Sequence, residues 1–371
     1  MVEDKRIYLI ALSQLKGVGC ALARHLLQYF GEAEAVFTEK GRLLEKVPGI
    51  GRHTVAGILE TRAEALLGAE RELAFVEKNR IRLYFITESD YPTRLHYCQD
   101  APAVFYFKGN ADLNARHILG IVGTRKATDY GNGLTVALLK NLAEMFPGLL
   151  IVSGLAYGID VCAHRNALKN GLPTVGVLAH GLDRIYPAVH RNVAVEMLEN
   201  GGLLSDFTSG TVPARENFLQ RNRLIAGLTD ATVVVESAEK GGALVTADIA
   251  FSYGREVYAF PGRTMDRHSG GCNRLIQVNK AGLITSAHDL AAALGWDAGE
   301  ASAPKDAMLP FPRDIPDHPL LNLLAEKGEM QVNELAAASG MPICQLSPML
   351  FELELAGHVK VLPGNVYKLM P

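Results

Sequence analysis

Cysteine is sparse. Five residues (Cys20, Cys98, Cys162, Cys272, Cys344) are scattered through 371, with no CxxC pair. This argues against a disulfide framework or a thiolate zinc site and suits a reducing cytosol. Long hydrophobic runs are missing too. No stretch approaches the ~20 apolar residues that span a bilayer, and the opening MVEDKRIYLIALSQLKG has no signal-peptide core. The chain therefore reads as cytoplasmic, with no membrane partner. There is no excess of positive charge: the net charge is −3. A nucleic-acid site must then be a local basic groove and not a generally basic surface.

Several catalytic signatures are also absent. No GxGxxG follows a strand and opens a helix, since Gly131-Asn132-Gly133 follows Asp129-Tyr130, so NAD is poorly supported. The dipeptide Gly-Lys does not occur, which removes a Walker A loop and any reason to invoke ATP. HExxH is missing, and Gly154-Leu155-Ala156-Tyr157-Gly158 encloses no serine, so the nucleophile elbow is not met. Asp160 and His164 have the i,i+4 spacing of a shared metal. The favoured reading is an N-cap aspartate and a helix histidine packed against a sheet. No metal and no cofactor are expected.

What is present describes a globular α/β protein. Hydrophobic residues make up 48%, charged residues 21%, and 36 glycines outnumber 17 prolines. Residues 1–78 read as a helical domain of helix-hairpin-helix or SAM-like type. Leu15-Lys16-Gly17-Val18-Gly19 and Val47-Pro48-Gly49-Ile50-Gly51 repeat one glycine hairpin between helical stretches. Such a hairpin can present N–H groups to a phosphate, and Lys16, Lys46 and Arg52 favour that; it can equally be a helix C-cap and tight turn.

Residues 79–296 alternate strand and helix. Near-continuous apolar runs at Ile118–Val122, Leu149–Val152, Thr174–Leu178, Thr232–Val235 and Val257–Phe260 suit parallel strands covered on both faces. Ile81–Ile86 and Val104–Phe107 extend the sheet. This is a Rossmann-like, doubly wound parallel sheet. Residues 297–316 hold Pro304, Pro310, Pro312 and Pro316 and read as a linker. Residues 317–371 supply three short helices, with Gly340 at the turn, and a hairpin of Val359–Leu362 with Val366–Leu369. That pattern is a winged helix.

Ligands of open α/β sheets bind at the carboxyl ends of the strands. Loops rich in small and basic residues fall there: Gly123-Thr124-Arg125-Lys126, Ser153-Gly154 onward to Asp160, His180 to Pro187, and Glu239-Lys240-Gly241-Gly242-Ala243. Their N–H groups, hydroxyls and cations make a phosphate-binding rim. The segment Pro213 to Gly227 adds Arg215, Phe218, Arg221, Asn222 and Arg223. Arginines can pair with phosphates and an aromatic can stack on an unpaired base. The alternative is a core Phe218 with Arg221 and Arg223, at a helix start, held in internal ion pairs.

In order, these loops resemble the DNA-processing protein A (DprA/Smf) family. Its pattern is a GTR or GSR loop, SGxAxGID, GxDxxYP, RNRxIAG, a glycine loop followed by LxTA, and a PG. Here they stand as Gly123 to Arg125, Ser153 to Asp160, Gly181 to Pro187, Arg221 to Gly227, Gly241 to Ala247 and Pro261-Gly262, with Asp90-Tyr91-Pro92 and Asp100-Ala101-Pro102 ahead of them. The resemblance implies a non-catalytic, dimeric Rossmann-type protein that binds single-stranded DNA and helps load a RecA-type recombinase during natural transformation. It carries the DNA pocket onto Gly123, Thr124, Arg125, Arg215, Phe218 and Arg221 to Arg223. Lys126, Ser153, Gly154, Lys240 and Gly241 join as the remaining loop candidates. The sequence departs from the pattern at Ala179-His180, Ser205-Asp206-Phe207 and Lys240 to Ala243.

Two other classes stand beside this one. A nucleotide phosphoribohydrolase on the same sheet would carry PGGxGTxxE, of which Lys240-Gly241-Gly242 to Asp248 is a loose echo, with Asp248 where that loop has its Glu. A duplex-DNA regulator would use the winged helix, but the recognition helix expected at Ile343–Ala356 has Glu352 and Glu354 and no Lys or Arg.

Overall fold

The computed structural model describes residues 4–296, 318–362 and 364–370. The linker expected at 297–316 lies outside the described residues. Five helices come first, the longest Arg52–Lys78. A nine-stranded sheet follows: β1 (Arg82–Phe85), β2 (Val104–Gly109), β3 (Ile118–Val122), β4 (Leu150–Ser153), β5 (Thr174–Val177), β6 (Gly201–Ser205), β7 (Ala231–Val234), β8 (Glu256–Ala259) and β9 (Gly282–Leu283). The spatial order is β1-β2-β6-β5-β4-β3-β7-β8-β9. Strands β3 to β9 pair in parallel, and β1 and β2 join antiparallel through β6.

The apolar runs form strands because both faces are covered. Side chains alternate along β3: Ile118 and Val122 enter one buried cluster, Leu119 and Ile121 the other. The first cluster is continuous with the N-terminal helices through Leu12, Leu26 and Ile58. The second packs the sheet against the helix Asp129–Met145. No helix among the described residues is long and apolar enough to cross a membrane.

The winding opens a crevice. The chain runs from β3 through β4 and β5 to β6, then returns to lay β7 on the other side of β3. Connections therefore diverge between β3 and β7, the switch point where loops part and open a crevice. The C-terminal unit is a winged helix as expected. The hairpin β11 (Val359–Leu362) and β12 (Val366–Leu369) is joined by β10 (Met330–Gln331). Gly340 ends the second of its helices in left-handed backbone (φ 69°).

Candidate nucleic-acid interface

At the β3/β7 switch point lies a cleft of about 980 Å³. Its walls are the loop after β3, the helix Arg215–Leu228, and the loop and helix after β7. The loop after β3 is held by Glu236, a buried residue just beyond β7. Its carbonyl accepts the Thr124 N–H (2.7 Å), and its carboxylate accepts the Thr128 N–H (2.9 Å) and hydroxyl (2.6 Å). Gly123 is required here because a Cβ would meet the Ile159 side chain at 2.4 Å. The turn thus lies directly on the helix Ile159–Lys169, and Arg125 projects outward, exposed.

The helix Arg215–Leu228 supplies the opposite wall. Pro213 and the extended Ala214 start it at Arg215, so Arg221 and Arg223 sit mid-helix and not at its start as the sequence suggested. Phe218 is half-buried. The Arg125 guanidinium lies over its ring at 5.0 Å and that of Arg221 at 5.9 Å. Tyr186, 48% exposed, stands beside it with ring centroids 6.1 Å apart. A ring poised between cations, with part of its surface open, can stack on a flat ligand.

Arg221 forms the floor. It is only 3% exposed, and Nη1 donates to the Gly154 carbonyl at 2.7 Å and to that of Val177. Burial pulls its pKa down to about 10 while the nearby Asp160 opposes the shift, so it stays charged at neutral pH. Burial raises the Asp160 carboxyl, against the pull of Arg221 and of the Ala156 and Gly154 N–H groups. His164 has a contact of its own. Its Nδ1 meets the Thr174 hydroxyl at 2.7 Å, and burial lowers its pKa to about 3. The histidine is packed as expected, but Asp160 is not the N-cap: Gly158 is, and Asp160 lies inside the first turn. Among the described residues no group of three or more His, Cys, Asp or Glu could hold a metal ion.

Two helices begin at the cleft without a side-chain cap, at Arg215 and at Gly242. Their free N–H groups and dipoles favour an anion there. Exposed Arg125, Arg215 and Lys240 add charge at the mouth.

Gly123, Thr124, Arg125, Arg215, Phe218, Arg221, Asn222, Lys240 and Gly241 all line the cleft. Four candidates do not. Lys126 is exposed on the crest of the β3 loop, its N–H on the Thr124 hydroxyl at 3.2 Å. Ser153 is fully buried and donates to the Ile121 carbonyl at 2.6 Å. Gly154 lies beneath the floor, where a Cβ would meet the Arg221 guanidinium at 2.3 Å. Arg223 points the other way. It pairs with Asp206, donates to the Asp100 carbonyl at 2.6 Å and reaches the Cys20 sulfur at 3.3 Å. Burial opposes its charge, but Asp206 and its neighbours hold it above the usual arginine range. Helical phase explains this, because residue 223 is turned roughly 140° from residue 218. Asp248, the echo of a hydrolase glutamate, is also outside the cleft, paired with Lys280 at 2.6 Å. Outside the candidates, Tyr186 lines the cleft and Glu236 braces its β3 loop from behind. Tyr186 lay within the GxDxxYP segment; Glu236 had no local signal.

A Rossmann-type sheet with a cationic, aromatic crevice at its switch point has the elements that binding of a polyanion with flat groups requires. Comparison with known proteins gives its family. The model for DNA recombination-mediator protein A matches residues 82–295, and that for the DprA winged helix domain matches 304–365. The chain is 32% identical to protein Smf of Synechocystis sp. over 99% of its own length and 100% of that protein's. It is 36% identical to protein Smf of Escherichia coli, over 81% of this chain and 80% of that one. The structure is similar to that of DNA processing protein A from Streptococcus pneumoniae, with TM-score 0.65, 32% identity, and 79% of this chain and 98% of that chain covered. It is also similar to a structure of DNA processing protein A from Helicobacter pylori, for which a single-stranded DNA binding mode is described; there the TM-score is 0.52, the identity 30%, and the coverage 58% and 95%. The chain belongs to the DNA recombination-mediator protein A (DprA/Smf) family.

Proposed function

We propose that the cleft binds single-stranded DNA, and that the protein mediates recombination by presenting that strand to a RecA-type recombinase during natural transformation. The observation that carries this reading is the half-buried Phe218, with the guanidinium groups of Arg125 and Arg221 over its ring and Tyr186 beside it. Single-strand binding needs a cationic path for the backbone and faces for the bases, with little reading of base edges. A duplex hides those faces. The binding mode described for the Helicobacter pylori relative supports the same ligand.

The protein acts as a homodimer through its sheet domain. Support comes from exposed apolar residues of the sheet domain: Leu283 on the edge strand β9 (54% exposed), Val278 at the end of the helix Gly270–Gln277 (46%) and Phe251 near the end of the helix Gly242–Ser252 (51%). The winged helix serves a protein contact. Its helix Ile343–Leu355 exposes Phe351 and Leu355 beside Glu352 and Glu354 and carries no cation, which is unsuited to a phosphate backbone. No catalytic step is assigned, and the unengaged cleft residues bind instead of reacting.

A titration of labelled single-stranded and duplex oligonucleotides at two salt concentrations tests the proposal. Preference for the single strand, weakening as salt rises, is expected. Equal affinity for both, or preference for the duplex, would overturn it.

A further inference from the structure

We propose a second segment of the DNA path, resting on the single-strand reading of the cleft: the strand leaves the cleft over the β3 loop onto a platform made by Tyr130 and the loop 261–269. Strands β3, β7 and β8 lie side by side and parallel, so the loops that follow them emerge at one sheet edge. The cleft uses the first two. The third, beginning at Pro261, is joined to the first by Tyr130, whose hydroxyl donates to the Pro261 carbonyl at 2.8 Å. That bond fixes the ring while leaving the residue 49% exposed. Tyr130 is five residues from Arg125, hence within about 18 Å of it, a reach of a few nucleotides.

The third loop is braced. Asn273 closes it through two hydrogen bonds to Gly262, each 3.0 Å. The Gly271 N–H donates to the carbonyl of Ser237, a cleft residue, at 2.8 Å. The loop's own acid, Asp266, accepts from the His268 N–H (2.9 Å) and the Ser269 hydroxyl (3.1 Å), and Arg263 lies within reach of its charge. What remains outward is Arg263, Met265 (95% exposed) and Arg267. Neither arginine is in an ion pair among the described residues. Exposed cations beside a fixed aromatic face are the two elements that single-strand binding requires, and Lys126, exposed on the β3 loop, adds another.

The test uses oligothymidylates of about 5 and about 20 nucleotides, one near the lower end and one beyond the upper end of the site size of one binding module. Arg263→Ser with Arg267→Ser should leave the short oligomer bound as before. For the long one it should weaken binding and flatten the log–log salt slope by about 1.4, two contacts' worth for a single strand. Tyr130→Ala should cost the long oligomer roughly fivefold or more, the loss of one stacked base, whereas Tyr130→Phe keeps the face and most of the affinity. Melting temperatures equal to the parent's exclude misfolding. Variants that match the parent at both lengths, or that lose both lengths equally, would overturn the second segment. A parent that binds neither length would overturn the cleft reading itself, and with it this one.

Discussion

Replacing Phe218 with alanine separates a stacking face from a core residue. A fully buried phenylalanine costs about 3–5 kcal/mol on truncation. Phe218 is half-buried, and its best-defined contact is the cation–π interaction with Arg125 at 5.0 Å, worth about 0.5–1 kcal/mol at an exposed site. A stability loss of about 1–2 kcal/mol is therefore expected. Binding should suffer more, by about 1–3 kcal/mol, which is roughly 5- to 150-fold in Kd. No charge is removed, so the salt slope should hold. Fluorescence anisotropy with a labelled single strand gives the affinity, and thermal denaturation gives the stability. Phe218→Tyr, which keeps the ring, should bind close to the parent. An alanine variant with the parent's affinity, or one whose melting falls by the full core amount while its folded fraction still binds, would refute the stacking role.

Other substitutions address the remaining parts. Arg223→Met leaves Asp206 buried without its partner and should cost about 3–5 kcal/mol of stability, measured by denaturant unfolding, while the folded protein keeps its single-strand affinity. His164 stays neutral in the fold down to about pH 3, whereas the unfolded chain takes up its proton near pH 6.5. Unfolding therefore binds one extra proton across that window. Stability should fall on acidification by up to about 1.4 kcal/mol per pH unit from this group, and His164→Asn should show a shallower fall in unfolding experiments at pH 7 and pH 5. A chain ending at residue 296 should keep its single-strand affinity, because the cleft is built wholly from residues 122–246; anisotropy on the shortened chain checks this, and mass in solution reports whether the winged helix supports self-association.

The sheet was legible wherever burial on both faces wrote itself as an apolar run. Ile118–Val122 and the C-terminal hairpin appear with the bounds read from the sequence. Strand β6 was not read, since it opens with Gly201 and Gly202 and offers only Leu203 and Leu204 as apolar signal. Gly201 is there because a Cβ would meet the Thr174 carbonyl oxygen at 1.9 Å, a constraint set by a neighbouring strand. The cleft was legible residue type by residue type, but not in its phase. Arg221 and Arg223 are two positions apart, and one forms the cleft floor while the other ties the helix to Cys20 in the N-terminal helices. Only the helical rotation set by the start at Arg215 separates them. Glu236 escaped altogether because its partner Thr128 is 108 residues away; no local pattern encodes such a clamp.

The central claim is that Arg125 faces a phosphate of single-stranded DNA in the β3/β7 cleft. Binding of a labelled single strand by Arg125→Glu, followed across a range of salt, tests it most directly. Arg125 is exposed at a loop that Glu236 holds independently, so the variant should fold as the parent does. Its affinity should fall strongly at low salt, and its log–log salt slope should be shallower by roughly 0.7, one lost phosphate contact. A folded Arg125→Glu protein that binds as tightly as the parent at every salt concentration, with the same slope, would contradict the claim.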